Sequence, residues 1–134
     1  KAADAPQPNV LAMNDLAEVL RRTGKYDEAE RYARRATEKA PELYIAWETL
    51  GVVLMDAGRD AAEAEKCIRK AIDLQEGVDG AKQDIRMWTS LARAQFMRGD
   101  KKGAKMSLRK VRPRLAELAE YERREFEEME KRVK

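Results

Sequence analysis

The sequence predicts an all-α chain of stacked helix pairs, and three observations predict it. One pattern of large and small apolar residues occurs three times: Met13, Leu16-Ala17, Leu20, Gly24, Ala29, Ala33 and Ala36, then Trp47, Leu50-Gly51, Leu54, Gly58, Ala64, Ile68 and Ala71, then Trp88, Leu91-Ala92, Gln95, Gly99, Ala104, Leu108 and Val111. The spacing is regular where helices are expected and loose only elsewhere. Leu16 to Leu50 and Gly24 to Gly58 are both 34 positions, whereas Leu50 to Leu91 is 41, with the excess in one turn and one connector. Composition is the third observation: 40% charged residues, seven glycines and four prolines in 134 residues suit thin helical layers with solvated faces.

Residues 1–9 hold two prolines and no period and are expected to form a tail, with Asn9 capping a first helix over about 10–23. Val10, Met13, Leu16, Ala17 and Leu20 fall at i, i+3, i+4 spacing, and Thr23-Gly24 ends the helix. A second helix over about 26–39 turns Ala29, Tyr32-Ala33 and Ala36 inward before Pro41 forbids continuation. A third spans about 43–57 and stops at Gly58, after which Asp60 with Glu63 has capping-box spacing for a fourth helix running to about Leu74. Gln75 to Gln83 is the one long connector, expected as a solvated extension and turn. A fifth helix starts near Asp84 with Ile85, Trp88, Leu91-Ala92 and Gln95, and a sixth runs to about Val111. Pro113 is expected to open a new helix from Arg114 to about Arg132, whose apolar stripe of Leu115, Leu118-Ala119, Phe126, Met129 and Val133 is interrupted by Glu122. Small residues at Ala17, Gly51, Ala92, Ala29, Ala64 and Ala104 let helix axes approach, while Leu16, Leu50 and Leu91 fill the space between them.

These residues resemble the tetratricopeptide repeat, whose signature is a bulky residue, a Leu followed by Gly or Ala, an aromatic or Leu, a turn glycine, Ala, a bulky residue, Ala and Pro. The resemblance covers about residues 10–112. It implies a right-handed α-solenoid of three helix-turn-helix repeats, about 10–43, 44–78 and 85–112, followed by a C-terminal capping helix over 113–134. It also implies a concave groove, lined by the first helix of each repeat, that holds a peptide or helix of a protein partner. The groove positions carried over are Leu11, Asn14, Glu18 and Arg21 in the first repeat, Ile45, Glu48, Val52 and Met55 in the second, and Arg86, Thr89, Arg93 and Phe96 in the third. Val52, Met55 and Phe96 are apolar residues off the core stripe and are expected to receive a partner's apolar anchors. Arg21, Arg86 and Arg93 are expected to set register and favour acidic neighbours, with a salt bridge from Arg86 to Glu48 equally open. Some family members grip a C-terminal carboxylate with basic and amide side chains. Here Asn14 and Glu18, Thr49, and Arg86 and Ser90 occupy those positions, and Glu18 would repel the group being gripped.

Charge is uneven. Residues 1–81 carry a net −4, residues 82–114 a net +9 and residues 115–134 a net −2. The third repeat is therefore a basic block, with Lys101, Lys102, Lys105, Arg109, Lys110, Arg112 and Arg114 available to an acidic partner or nucleic acid unless they offset the Glu-rich last helix. Interleaved aromatics for base stacking are missing, which places nucleic acid behind a protein partner. Self-association through the last helix is a further alternative, so a monomer or weak homodimer is expected. With no histidine and a single Cys67 in mid-helix, no catalytic constellation, metal site or cofactor site is expected. No apolar run is long enough to span a bilayer. A first residue of Lys rather than Met fits a piece of a longer protein.

Overall fold

A computed structural model describes residues 8–76 and 84–134. The expected tail up to residue 7 and the connector at 77–83 lie outside the described residues. The elements are α1 (Pro8–Arg22), α2 (Tyr26–Lys39), α3 (Tyr44–Asp56), α4 (Ala61–Glu76), α5 (Arg86–Met97), α6 (Lys101–Val111), a 3₁₀ segment (Arg112–Glu117) and α7 (Glu120–Val133). They form a helical solenoid: α1 packs on α2, α3 on α4 and α5 on α6, with α3 lying against α2 and α5 against α4.

Three turns of one design make the pairs. Gly24, Gly58 and Gly99 sit at φ of 79°, 68° and 93°, a region side chains disfavour, and the amide after each donates to the carbonyl five positions before it. Those bonds are Lys25 to Leu20 at 2.8 Å, Arg59 to Leu54 at 2.9 Å and Asp100 to Gln95 at 2.8 Å. The helices that follow differ in their caps. Asp60 accepts from the Glu63 amide at 3.1 Å, as its spacing predicts, but the Glu63 carboxylate turns away to Arg34 instead of closing the box. Asp100 accepts from Gly103 at 2.9 Å in the same way. The two ends of the long connector are tied together, because the Asp84 amide donates to the buried Gln75 side chain at 2.7 Å.

Leu50, Leu54, Ile68, Ala71, Met87 and Leu91 make the central core, and each of the Leu, Ile and Met side chains contributes on the order of 2 kcal/mol by leaving water. Gly51 leaves no room for a side chain between α3 and α4: a Cβ there would lie 2.7 Å from Ile68 Cδ1 and 3.3 Å from the Ala64 carbonyl. In the third pair Gln95 replaces the leucine of the pattern, and its polarity is met by Ser107 at 2.6 Å. Cys67 is buried, and burial pushes its thiol up to about 12.

Three sequence expectations are corrected. Pro8, expected in the tail, is already helical, so Asn9 lies in the first turn and is not its cap. Leu16 is exposed and fills no space between helices, because no described element packs ahead of α1. The last helix begins at Glu120 rather than Arg114. Pro113 cannot donate to extend α6, Arg114 is non-helical, and Leu118 is extended so that its side chain enters the core. The new helix opens with the Ala119 amide donating to Glu122 at 2.8 Å. Phe126, Met129 and Val133 are buried with Leu108 and Val111, so the apolar stripe of α7 packs on the end of the third pair.

Candidate functional site

The first helices of the three pairs and α7 line one open groove of about 1080 Å³. Of the positions expected from sequence, Asn14, Glu18 and Arg21 on α1, Ile45, Glu48 and Val52 on α3, and Arg86, Thr89 and Arg93 on α5 line it. Leu11, Met55 and Phe96 do not. Leu11 is exposed outside the groove lining. Met55 is 2% exposed in the central core, and Phe96 packs against the cluster beneath α7. Arg21, Met55 and Phe96 hold one position of the repeat, at the border of core and groove. There the cationic head of Arg21 reaches the groove, while the apolar side chains fold inward.

The groove arginines are already engaged. Arg21 pairs with Glu18 at 3.1 Å and with Asp56 at 2.7 Å, and Arg93 reaches the same Asp56 at 2.8 Å. One carboxylate of α3 thus joins α1 to α5. Arg86 pairs with Glu48, with Asp84 at 3.0 Å and with Glu122 of α7 at 3.3 Å. The bonds to Glu18 and Asp56 hold the Arg21 pKa above its ordinary value. Burial works against the Arg86 charge, but Glu48 and Asp84 outweigh it and raise that pKa as well. Glu125 differs: burial raises its carboxyl above the usual range against the pull of Arg93 and Arg86.

Two buried polar atoms of groove-lining residues have no partner among the described residues. Asn14 is 3% exposed with a free Oδ1, and Thr89 is 5% exposed with a free Oγ1. Apolar surface is supplied by Ile45, the half-buried Val52 and Tyr121. The arrangement offers polar contacts to a backbone and a small apolar patch, with charges that are largely matched among themselves.

Sequence reasoning missed Asp56, Tyr121, Glu122 and Glu125. Asp56 follows Val52 by four positions and Met55 by one, so i+3 and i+4 were both open for the same face. The interruption of the α7 stripe by Glu122 was the signal for the rest: it marks the groove side of that helix. Among the described residues no group of three or more His, Cys, Asp and Glu side chains is arranged to hold a metal ion, and no helix is long and apolar enough to cross a membrane.

The family model for the tetratricopeptide repeat matches residues 14–78. Tetratricopeptide repeat protein 7B of Mus musculus is 37% identical over 67 residues, which are 50% of this chain and 8% of that protein. The chain thus spans under a tenth of that relative's length. Among solved structures, the Sgt2 TPR domain from Aspergillus fumigatus superposes with a TM-score of 0.76 at 18% identity, covering 96% of this chain and 82% of that one. That likeness shows the fold.

Proposed function

We propose, on the premise that this chain carries tetratricopeptide repeats, that it is a protein–protein interaction module holding a segment of a partner in the groove of α1, α3, α5 and α7. The observation that carries this reading is an open groove whose lining residues Asn14 and Thr89 each hold a buried polar atom, Oδ1 and Oγ1, without a partner among the described residues. Unmade hydrogen bonds at buried atoms cost about 1–3 kcal/mol each, and rotation of Asn14 or Thr89 into the groove lets a partner's backbone recover them. An apolar anchor of the partner rests on Ile45, Val52 and Tyr121. Because Arg21, Arg86 and Arg93 are matched by Glu18, Asp56, Glu48 and Glu122, acidic neighbours are not required. Met55 and Phe96 have no direct part.

The test is selection of peptides from a random displayed library on the 134-residue chain, followed by titration against variants. Val52→Arg is expected to weaken binding at least about tenfold, a loss of about 1.4 kcal/mol, while Lys105→Ala on the opposite side of the third pair leaves it unchanged. Binding that survives Val52→Arg and Thr89→Val refutes the groove.

A second reading has its own observation. Lys101, Lys102, Lys105 and Arg109 are exposed on α6, and none makes an ion pair among the described residues, unlike the groove arginines. The expectation that the basic block offsets the last helix holds for Arg112, which pairs with Glu130. This face suits an acidic partner, and steep weakening of its binding with salt is the expected sign.

A further inference from the structure

The repeat lets each helix be compared with its counterpart one period on. Ala12, Leu16 and Val19 of α1 correspond to Ala46, Leu50 and Val53 of α3, so the same three residue types recur in order. Their surroundings are opposite. Leu50 and Val53 are 2% and 0% exposed with α2 and α1 packed over α3, whereas Leu16 and Val19 are 39% and 53% exposed. In α5 the counterparts Met87, Leu91 and Ala94 are again buried, with α4 over them. Spaced at i, i+4 and i+7, the three α1 residues form one stripe along the helix. At the other end of the solenoid the corresponding problem is solved by α7, which covers the third pair. Stacked repeats need a polar outer face where they end, and the outer face of α1 is not polar.

The charges on the same side carry the comparison further. Glu63, just before the buried Ala64, accepts two bonds from Arg34 of the preceding pair at 2.7 and 2.8 Å. Glu28 holds the same place before Ala29, is exposed, and has no partner among the described residues. Asp15, at the Thr49 position, is exposed and likewise unpaired.

We infer that the outer face of α1 and α2 is an interface, and that its occupant is one further helix pair of this design stacked ahead of α1. Its second helix lies across Ala12, Leu16 and Val19 as α2 lies across α3, and it presents an arginine to Glu28 as Arg34 is presented to Glu63. The surface continues an interface already used twice within the molecule. Its occupant is therefore specified in shape, in apolar character and in the position of one cation.

The test extends the full chain by a second copy of residues 9–42 placed directly before Asn9, which continues the 34-residue period. Amide exchange in α1 is expected to slow by about tenfold or more relative to the unextended chain, because its outer face is closed. Val19→Lys in the original copy removes the slowing. Val19 is half exposed, so the unextended Val19→Lys chain keeps its helical circular dichroism and serves as the folding control. Glu28→Arg in the original copy reduces the slowing, and Arg34→Glu in the added copy restores it. Unchanged α1 exchange in the extended chain, or a charge swap that rescues nothing, overturns the inference. Sedimentation of the unextended chain is expected to show a monomer, and a dimer dissociated by Val19→Lys would give the face to a second copy and overturn the stated occupant.

Discussion

Gly51 and Ile68 form a pair whose coupling can be worked out from one distance. A methyl group built on Gly51 meets Ile68 Cδ1 at 2.7 Å and Cγ1 at 2.9 Å, with the Ala64 carbonyl at 3.3 Å. Gly51→Ala gains about 1 kcal/mol of helix propensity, because alanine restricts the unfolded chain and glycine does not. Against this, forcing a methyl into filled space costs about 1–3 kcal/mol, so the single variant is expected to be destabilised by about 1 kcal/mol. Ile68→Val removes Cδ1, the nearest atom, and alone costs about 1 kcal/mol for the methylene it deletes. Together the two changes exchange a methyl on one helix for a methyl on the other. The double variant is expected within about 0.5 kcal/mol of the parent, a favourable coupling of more than about 1 kcal/mol. Urea unfolding followed by circular dichroism at constant slope gives all four corners of the cycle. Additivity of the two costs would refute the close approach of α3 and α4.

Cys67 makes stability fall at high pH. Its folded value of about 12 stands above an unfolded value of about 8.5, so its contribution is complete below pH 8.5 and is lost as pH rises toward 12. By pH 10 the loss is about 2 kcal/mol, read as the extra drop in the urea midpoint of the parent over Cys67→Ala. The Arg86–Glu48 pair is expected to be asymmetric. Arg86→Met strands the buried Glu48 carboxylate at a cost of about 3 kcal/mol, while Glu48→Gln leaves Arg86 with Asp84 and Glu122 and costs about 1 kcal/mol; equal costs in chemical unfolding would refute that ordering. Phe126→Ala empties the cluster under α7 and is expected to cost about 3–5 kcal/mol, with α7 amides losing protection first in hydrogen exchange.

The helices were legible because packing at close range repeats the same demands in each helix pair: Gly24, Gly58 and Gly99 mark the three turns, and the small residues mark where axes meet. Pro113 was legible as an interruption, but not the length of the break, since the tuck of Leu118 into the core depends on a distant pocket made by α5 and α6. In the groove, Asn14, Val52 and Thr89 followed from the resemblance to the tetratricopeptide repeat, carried over position by position. Met55 and Asp56 could not be told apart by spacing, because which of two adjacent residues turns inward depends on the rotation of α3 against α4. The ion pairs were the least legible part. Arg21 and Arg93 are 72 positions apart, and no local pattern shows that both end on Asp56. Leu16 was misread for a simpler reason: periodicity gives a residue its role on the premise that every repeat has two neighbours.

The carboxylate shared by Arg21 and Arg93 bears on selectivity. A ligand acid arriving at either guanidinium meets one whose counter-charge is already in place, so docking there replaces one ion pair by another of similar strength. The exchange is close to neutral in free energy, and so is its mirror image, a ligand cation displacing an arginine from Asp56. On the proposed reading, the groove would act as a charge buffer, tolerant of either sign and rewarding neither. What it can rank is shape and apolar contact, and the slope of log Kd against log salt for a groove ligand should lie near zero.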